Sequence, residues 1–471
     1  MPEAAGPEPA ATPQAQPRAL IVLLLLAAVV GVLVSVAAWA FLEAIHQIQQ
    51  WVFTDLPKDL GYHSGAPMWF YLVVLGLAGL PVAFAIARLP GRGGHVPAEG
   101  LKVDGGPTEP IDLPGVVLAA VATIGLGLVL GPEAPLIALG AGLGLLAIRA
   151  VKRDSPEQAQ AVIAASGSFA AVAMIFGSPI IAAVILLEAL GLDRQRLPLV
   201  LLPGLLAAGI GSLVSIGMGS LTGLSTSAYS LGALSLPVLA EPTVADFAWT
   251  IPLAIVVALL TFAARQIALR TVSTVMRRAL VLIPIAGIVV AALAVVFHQI
   301  TGKGVDEVLF SGQDALPGLI SGAGTWSIAA LVWVLVFKGV AWGVSLGSFR
   351  GGPTFPAMYI GAAAGILASH LPGFDFTGAV GVGIGAGVVS MLRLPLSAVV
   401  LTTLLLDKSG LGAGPLIIVG VVVAYLVTVG LSRAFDPPAA ESAPDATPAG
   451  AAPGTESGPS QSSRPSPAPA A

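Results

Sequence analysis

Apolar residues run in long blocks along this chain, and polar residues are confined to short interruptions. The first block, ALIVLLLLAAVVGVLVSVAAWAFL, covers 19–42. Others follow at 69–88, 113–130, 134–150, 160–175, 178–191, 198–217, 247–264, 279–297, 326–347, 355–370, 377–391, 394–406 and 411–432. Several are well short of the roughly 20 residues that a helix needs to cross a bilayer, and many begin directly after a Gly or Pro. Short, broken helices are a mark of transporters whose ion site lies near the membrane midplane. The pattern predicts an all-α polytopic membrane protein of roughly 14–18 helices of uneven length. The first block is longer than the apolar core of a signal peptide, about 7–15 residues, and lacks a basic stretch before it. It therefore reads as a retained membrane helix. The polar ends, 1–18 and 436–471, are Pro/Ala-rich and predict disordered tails around a membrane domain at 19–435.

The blocks repeat. GPEAPLIALGAGLG (131–144) aligns with GPTFPAMYIGAAAG (352–365) at an offset of 221, with six of fourteen positions identical. SPIIAAVILLEALG (178–191) aligns with LPLSAVVLTTLLLD (394–407) at an offset of 216. Two pairs in the same order imply two related halves, about 20–218 and 247–435. Such halves in transporters are commonly inverted about an axis in the membrane plane, with the substrate at their interface.

Composition narrows the function. The chain is 56% hydrophobic and 10% charged, with a mean hydropathy of +0.93. A soluble domain carries about 25% charged residues. The net charge of −4 is small and scattered, which gives no basis for nucleic-acid binding. Without cysteine there are no disulfides, thiolate metal sites or cysteine nucleophiles. No metal-binding or paired-carboxylate motif is present, so the expectation is no enzyme, no cofactor and no metal. GVSLG (343–347) fits a hydrolase nucleophile elbow but lies in an apolar helix without the required strand and turn. Close helix packing explains it, and also GLGLVLG (125–131) and GVGIGAG (381–387). Basic residues at Arg149, Lys152 and Arg153, at Arg194 and Arg196, and at Arg265, Arg270, Arg277 and Arg278 mark cytoplasmic loops of a cell-membrane protein. Both termini fall on the same side.

Glu133 is the residue that needs explaining. It stands in GPEAPLIALG (131–140), between Pro132 and Pro135, inside an apolar stretch. Prolines suit the first turn of a helix, where their missing N–H is not needed. The segment thus reads as a helix start buried in the membrane, with orphan N–H groups and the positive end of the helix dipole: an anion site. Gly352-Pro353-Thr354-Phe355-Pro356 supplies a second one. The Glu133 carboxylate can occupy such a site and leave it on protonation or displacement. The plainer role is capping its own helix, worth about 0.3–1 kcal/mol. Intramembrane carboxylates are functional by default, however, and the repeat partner Thr354 is uncharged. Lys338 and Arg350 flank the second segment, either adding positive potential to an anion vestibule or snorkelling to the interface.

These segments resemble those of the CLC family of chloride channels and proton-coupled chloride transporters. GPEAP resembles the family's G-K/R-E-G-P, with Glu133 on the gating glutamate. GRGGHVP (91–97) resembles G-S-G-I-P, SPIIAAVILLEA resembles N-A-P-L-A-G-x-x-F-x-x-E, and GSFRGGPTFP (347–356) resembles G-G-x-F-x-P. The resemblance implies a homodimer in the bilayer with one anion pathway per subunit, chloride or another small inorganic anion as substrate, and Glu133 as gate. It also implies an anion site lined by Gly94, His95, Val96, Pro132, Ala134, Thr354, Phe355 and Pro356. Several positions depart from the family. Its anion-coordinating serine falls on Gly94, the residue after it is His95, and Thr354 stands on its phenylalanine. Its C-terminal tyrosine has no clear counterpart, Phe435 being the nearest aromatic. A second, proton-delivering glutamate falls on Ala189, beside Glu188. These departures point to weak or absent proton coupling, with Glu188 as the alternative proton handler and proton-coupled antiport as the alternative function. His95 also qualifies as a pH-sensing residue or as a structural one.

Overall fold

The first helix outruns its apolar block. In the computed structural model, which describes residues 17–100, 107–191, 197–224 and 230–435, α1 (Pro17–Gln50) continues through a π-helical stretch, Trp51–Asp55, into α2 (Leu56–Asp59). The polar tails lie outside the described residues, except that α1 begins two residues before the predicted boundary. Arg194 and Arg196 also lie outside them. The chain continues with α3 (Met68–Arg88), α4 (Leu113–Gly125), α5 (Glu133–Val151), α6 (Glu157–Phe176), α7 (Pro179–Leu190) and α8 (Leu197–Thr222). After these come α9 (Val244–Val275), α10 (Ala279–Thr301), α11 (Ala315–Ser321), α12 (Ile328–Ser348), α13 (Thr354–Ala368), α14 (Phe376–Leu392), α15 (Pro395–Leu405) and α16 (Gly410–Phe435). The residues up to Gly430 form one compact unit, and the chain from Leu431 a second. Among the described residues the architecture is all-α and polytopic. Eight helical stretches are long and apolar enough to cross a membrane, while α7, α13, α14 and α15 are shorter apolar helices.

Among the boundaries that differ from the sequence expectation, three have a local reason. The block at 113–130 is not one helix: α4 ends at Gly125, and Gly127 adopts φ +90°, which ends helical geometry. The block at 247–264 stops at Arg265, yet α9 continues to Val275, because a helix end that carries polar residues need not be apolar. The short α11 has no apolar block long enough to announce it. Caps set several other ends. Ser178 accepts from Ile181 N–H and Ser327 from Ala330 N–H. Thr243 and Asp246 form a reciprocal capping box at the start of α9. Asp246 also accepts a 2.7 Å bond from the N–H of Asp375, which itself caps α14, so two helix starts are tied together.

Glycine lets the central helices cross almost backbone to backbone. In the crossing of α5 with α6, a Cβ on Gly140 or on Gly167 would overlap the backbone of the other, and one on Gly144 would press on Ile163 O. In the crossing of α13 with α14, the same holds for Gly361 against Gly383 and for Gly365 against Ala379 O. The corresponding positions differ by 221 on the first helix of each pair and by 216 on the second, the two offsets at which the sequence aligns. The crossings matter because α5 and α13 start at the site described below.

Gly361→Ala forces a methyl group into the Gly383 carbonyl, and overpacking of this kind costs about 1–3 kcal/mol. Gly339→Ala on α12, where nothing lies within 4 Å of the added carbon, is the matched control. The expected result is a lower thermal-unfolding midpoint in detergent for the first substitution alone. Equal midpoints would show that the close crossing is not required.

Candidate functional site

Two helix starts meet inside the protein. α5 begins at Glu133, with Pro132 as N-cap, and α13 begins at Thr354, with Pro353 as N-cap. The residues just before them pair: Gly131 N–H donates to Gly352 O at 2.7 Å, and Gly352 N–H donates to Gly131 O at 2.5 Å. This antiparallel bridge is the only extended pairing among the described residues.

The Glu133 side chain crosses this bridge. It is 3% exposed, and its Oε1 accepts from the N–H groups of Thr354 (2.9 Å) and Phe355 (3.1 Å). The carboxylate thus reaches across to the start of α13 while staying close to the backbone N–H of its own helix start, so capping of α5 alone is not what holds it. The orphan N–H groups and the dipole of α13 provide for a negative charge without any cation. Its Oε2 is buried without a hydrogen-bond partner and lies against both Gly131 and Gly352, where any Cβ would overlap it. The Phe355 ring stacks on Phe176, the last residue of α6, with centroids 5.6 Å apart. Sequence reasoning missed Phe176, which carries no motif.

Cavities approach this point from two sides. The larger, about 520 Å³, is lined by Gly93, Gly94, His95, Ala134, Pro135, Ser168, Arg350 and Gly351. The smaller, about 40 Å³, is lined by Pro132 together with His46, Gln49, Gln313 and Asp314. Gly94, His95 and Ala134 are thus brought to one cavity and Pro132 to another, with Glu133 between them in sequence. Thr354 and Phe355 face the carboxylate through their backbones. Val96, half-buried, and Pro356, buried and without an N–H, line neither cavity. Gly91 to Gly94 all have positive φ, between 48° and 95°, which lets the loop fold tightly. A Cβ on Gly94 would also press on Val116. His95 Nε2 lies 2.6 Å from Gly100 O, a bond within its own loop. At an exposed edge of the larger cavity, Glu109 forms a two-point pair with Arg149 at 2.6 and 3.0 Å, and this hydrogen bonding holds the Glu109 carboxyl below the usual carboxylate range.

Neither expectation for Lys338 is met. Its side chain is fully buried, so it does not snorkel, and it lines neither cavity. Its Nζ donates to the carbonyls of Glu307 (3.0 Å), Val308 (3.3 Å) and Leu309 (3.1 Å) and lies 4.4 Å from the centre of the Tyr359 ring. The Tyr359 hydroxyl donates to the Glu307 carboxylate. Phe310 N–H, next in the same loop, donates to Gly127 O at 2.9 Å. Lys338 therefore fastens a loop that reaches the chain leading into Gly131. Ser345 of GVSLG is buried in α12 and accepts from Val129 N–H, so it is a packing residue. Glu188 accepts from Leu396 N–H (3.0 Å) and from the N–H (2.7 Å) and hydroxyl (2.6 Å) of Ser397, and so caps α15. Phe435 is the exposed final residue of α16.

The comparison with protein families decides the wider identity: residues 78–429 match the model described as voltage gated chloride channel. The chain belongs to this CLC family. It is a multi-pass membrane protein of anion transport, and not an enzyme. The putative ion-transport protein YfeO of Salmonella newport and of Salmonella typhimurium is 28% identical over 366 residues, covering 74% of this chain and 81% of that protein. A slow cyanobacterial Cl⁻/H⁺ antiporter has the same fold, with a TM-score of 0.70 at 18% identity over 87% of this chain and 94% of its own. A CLC-type fluoride/proton antiporter follows with a TM-score of 0.64 at 17% identity, covering 88% of this CLC chain and 97% of its own.

Replacing Lys338 with Met removes the donor shared by the carbonyls of Glu307, Val308 and Leu309, with Phe310 O at 3.5 Å. At about 1 kcal/mol or more for each unpaired acceptor, Lys338→Met is expected to destabilise the protein by about 3 kcal/mol. Guanidinium or heat denaturation in detergent reads this directly. A variant as stable as the parent would remove Lys338 from the support of the site.

Proposed function

We propose that the protein conducts chloride or another small inorganic anion along a route from the larger cavity, past Glu133, to the smaller one, with the Glu133 carboxylate as gate. The observation that carries this reading is the bonding of Glu133 Oε1 to the N–H groups of Thr354 and Phe355. The carboxylate occupies the place an anion would take at the start of α13, so the two compete. Protonation of Glu133, or displacement by an arriving anion, frees those N–H groups. A fixed lysine or arginine at that point would slow release, whereas backbone donors bind and let go.

Coupling to protons is weak or absent in this reading. Ala189 has no titratable group, and the adjacent Glu188 spends its carboxylate on the start of α15. The larger cavity opens towards the cytoplasm, since Arg149 at its edge belongs to a basic cluster. Both termini lie on that side of the cell membrane, and the working unit is a homodimer with one pathway per subunit. A second reading, proton-coupled antiport, is favoured by one observation. His46 and Asp314 line the smaller cavity beside Pro132, next to the gate. They offer a proton route that avoids residue 189.

Purified protein in chloride-loaded liposomes tests both. Chloride efflux and external pH are recorded together, with a potassium ionophore and then a proton uncoupler. Efflux with the potassium ionophore alone and no movement of protons is the expected outcome, and a pH change in proportion to anion moved establishes antiport instead. Glu133→Gln is expected to abolish the pH dependence of efflux. Persisting pH dependence in that variant would count against Glu133 as the gate.

A further inference from the structure

The two buried cations near the site are used differently. Lys338 is saturated by carbonyl oxygens, as described. Arg350 is not. It lies in the turn between α12 and α13, immediately before the Gly351-Gly352 pair, and is 4% exposed. Its backbone N–H reaches Thr123 Oγ1 at 3.4 Å, and its Nη1 donates to Phe349 O at 3.1 Å. Its Nε is buried and has no hydrogen-bond partner. The side chain lines the larger cavity together with Gly93, Gly94, His95 and Ala134. It packs beside the glycine loop, with its Cγ 3.5 Å from where a Cβ of Gly93 would stand.

None of the acids around it takes the Nε proton. Glu99 is the carboxylate whose charge acts on it, yet no Glu99 atom takes the Nε proton. Glu109 and Asp112 also line the cavity, and Glu109 is already held at two points by Arg149. A buried guanidinium with an unpaired N–H is costly unless something in the cavity accepts from it.

We propose that Arg350 is an anion-coordinating residue of the larger cavity and that its guanidinium favours planar oxyanions, of which nitrate and bicarbonate are examples, over spherical halides. The inference rests on the reading that this cavity carries anions. A guanidinium edge presents two parallel N–H groups spaced to meet two oxygens of a planar anion, whereas a halide meets them with a single centre. Gly94 contributes no hydroxyl to this cavity, and Arg350 is the one lysine or arginine among the described residues that line it. An oxyanion here lies one cavity away from the start of α13, with Glu133 between the two positions.

The test compares nitrate with chloride in the full-length protein, in liposomes, for the wild type, Arg350→Lys and Arg350→Gln. The lysine keeps the charge and loses the fork. The wild type is expected to pass nitrate several-fold faster than chloride. Arg350→Lys should lower the nitrate-to-chloride ratio by about tenfold, and Arg350→Gln should weaken the apparent affinity for both anions. A wild-type ratio at or below one, or a ratio unchanged in Arg350→Lys, overturns the inference while leaving anion transport intact. A wild type that moves no anion at all overturns the transport reading, and this inference with it. Should either variant fail to purify as a single species, thermal unfolding of the wild type in detergent decides. A larger rise in midpoint with sodium nitrate than with sodium chloride at equal ionic strength supports the arginine site, and an equal or smaller rise overturns it.

Discussion

The structure is organised around a buried carboxylate that is held by backbone N–H groups. Removing a charged group from water is expensive unless donors replace the lost hydration. The donors here are the backbone N–H groups at the start of α13, which belong to a segment 221 residues away from Glu133. Bringing that helix start within 3 Å of the carboxylate oxygen requires the two pre-helix segments to touch. They do so through the Gly131–Gly352 bridge, and both residues must be glycine because Oε2 fills the space a side chain would need. The partnerless Oε2 leaves the arrangement incompletely satisfied, which suits the gating role proposed for Glu133.

The rest of the scaffold keeps these two starts in place. Helix starts are precise only if the helices behind them cannot slide. The glycine crossings of α5 with α6 and of α13 with α14 lock each helix at backbone distance. Bilayer lipid supplies little hydrophobic drive between helices, so close packing of small residues has to hold them together. Lys338 adds a polar fastening from the other direction, through carbonyls 307–309 and on through Phe310 to Gly127. A charge within a membrane protein can thus be entirely structural.

The parts of this arrangement that follow local rules were legible in the sequence. Gly131-Pro132-Glu133-Ala134-Pro135 announced a buried helix start because proline tolerates the first turn and little else. The duplicated GP segments gave the second start, and the short blocks gave the uneven helices. What stayed hidden depended on the third dimension. Nothing in the order of residues shows that Glu133 reaches across to α13 as well as to its own helix start, since both starts offer the same donors. Lys338 is indistinguishable in sequence from a snorkelling lysine, and only its carbonyl cage tells them apart. Phe176 meets Phe355 through two helices that are distant in sequence. Val96 matched a motif, yet motif position is a statement about neighbours along the chain, and it lines neither cavity.

Charge economy joins these observations. Glu188, Lys338 and Arg350 are all ionisable groups inside or beside apolar packing, and what separates them is whether their bonds are complete. Glu188 accepts from three donors at the start of α15, and Lys338 donates to three carbonyls. Both are fixed by partners that never leave, so neither is suited to greeting a mobile ion. Glu133 and Arg350 each retain a buried polar atom without a partner. They have opposite charge and belong to the two segments that the Gly131–Gly352 bridge joins. An unfilled bond beside a cavity is what distinguishes a group that can exchange partners from one that only supports the fold. By that criterion the groups able to exchange partners are concentrated at the bridge, where the proposed gate and the proposed oxyanion contact both stand.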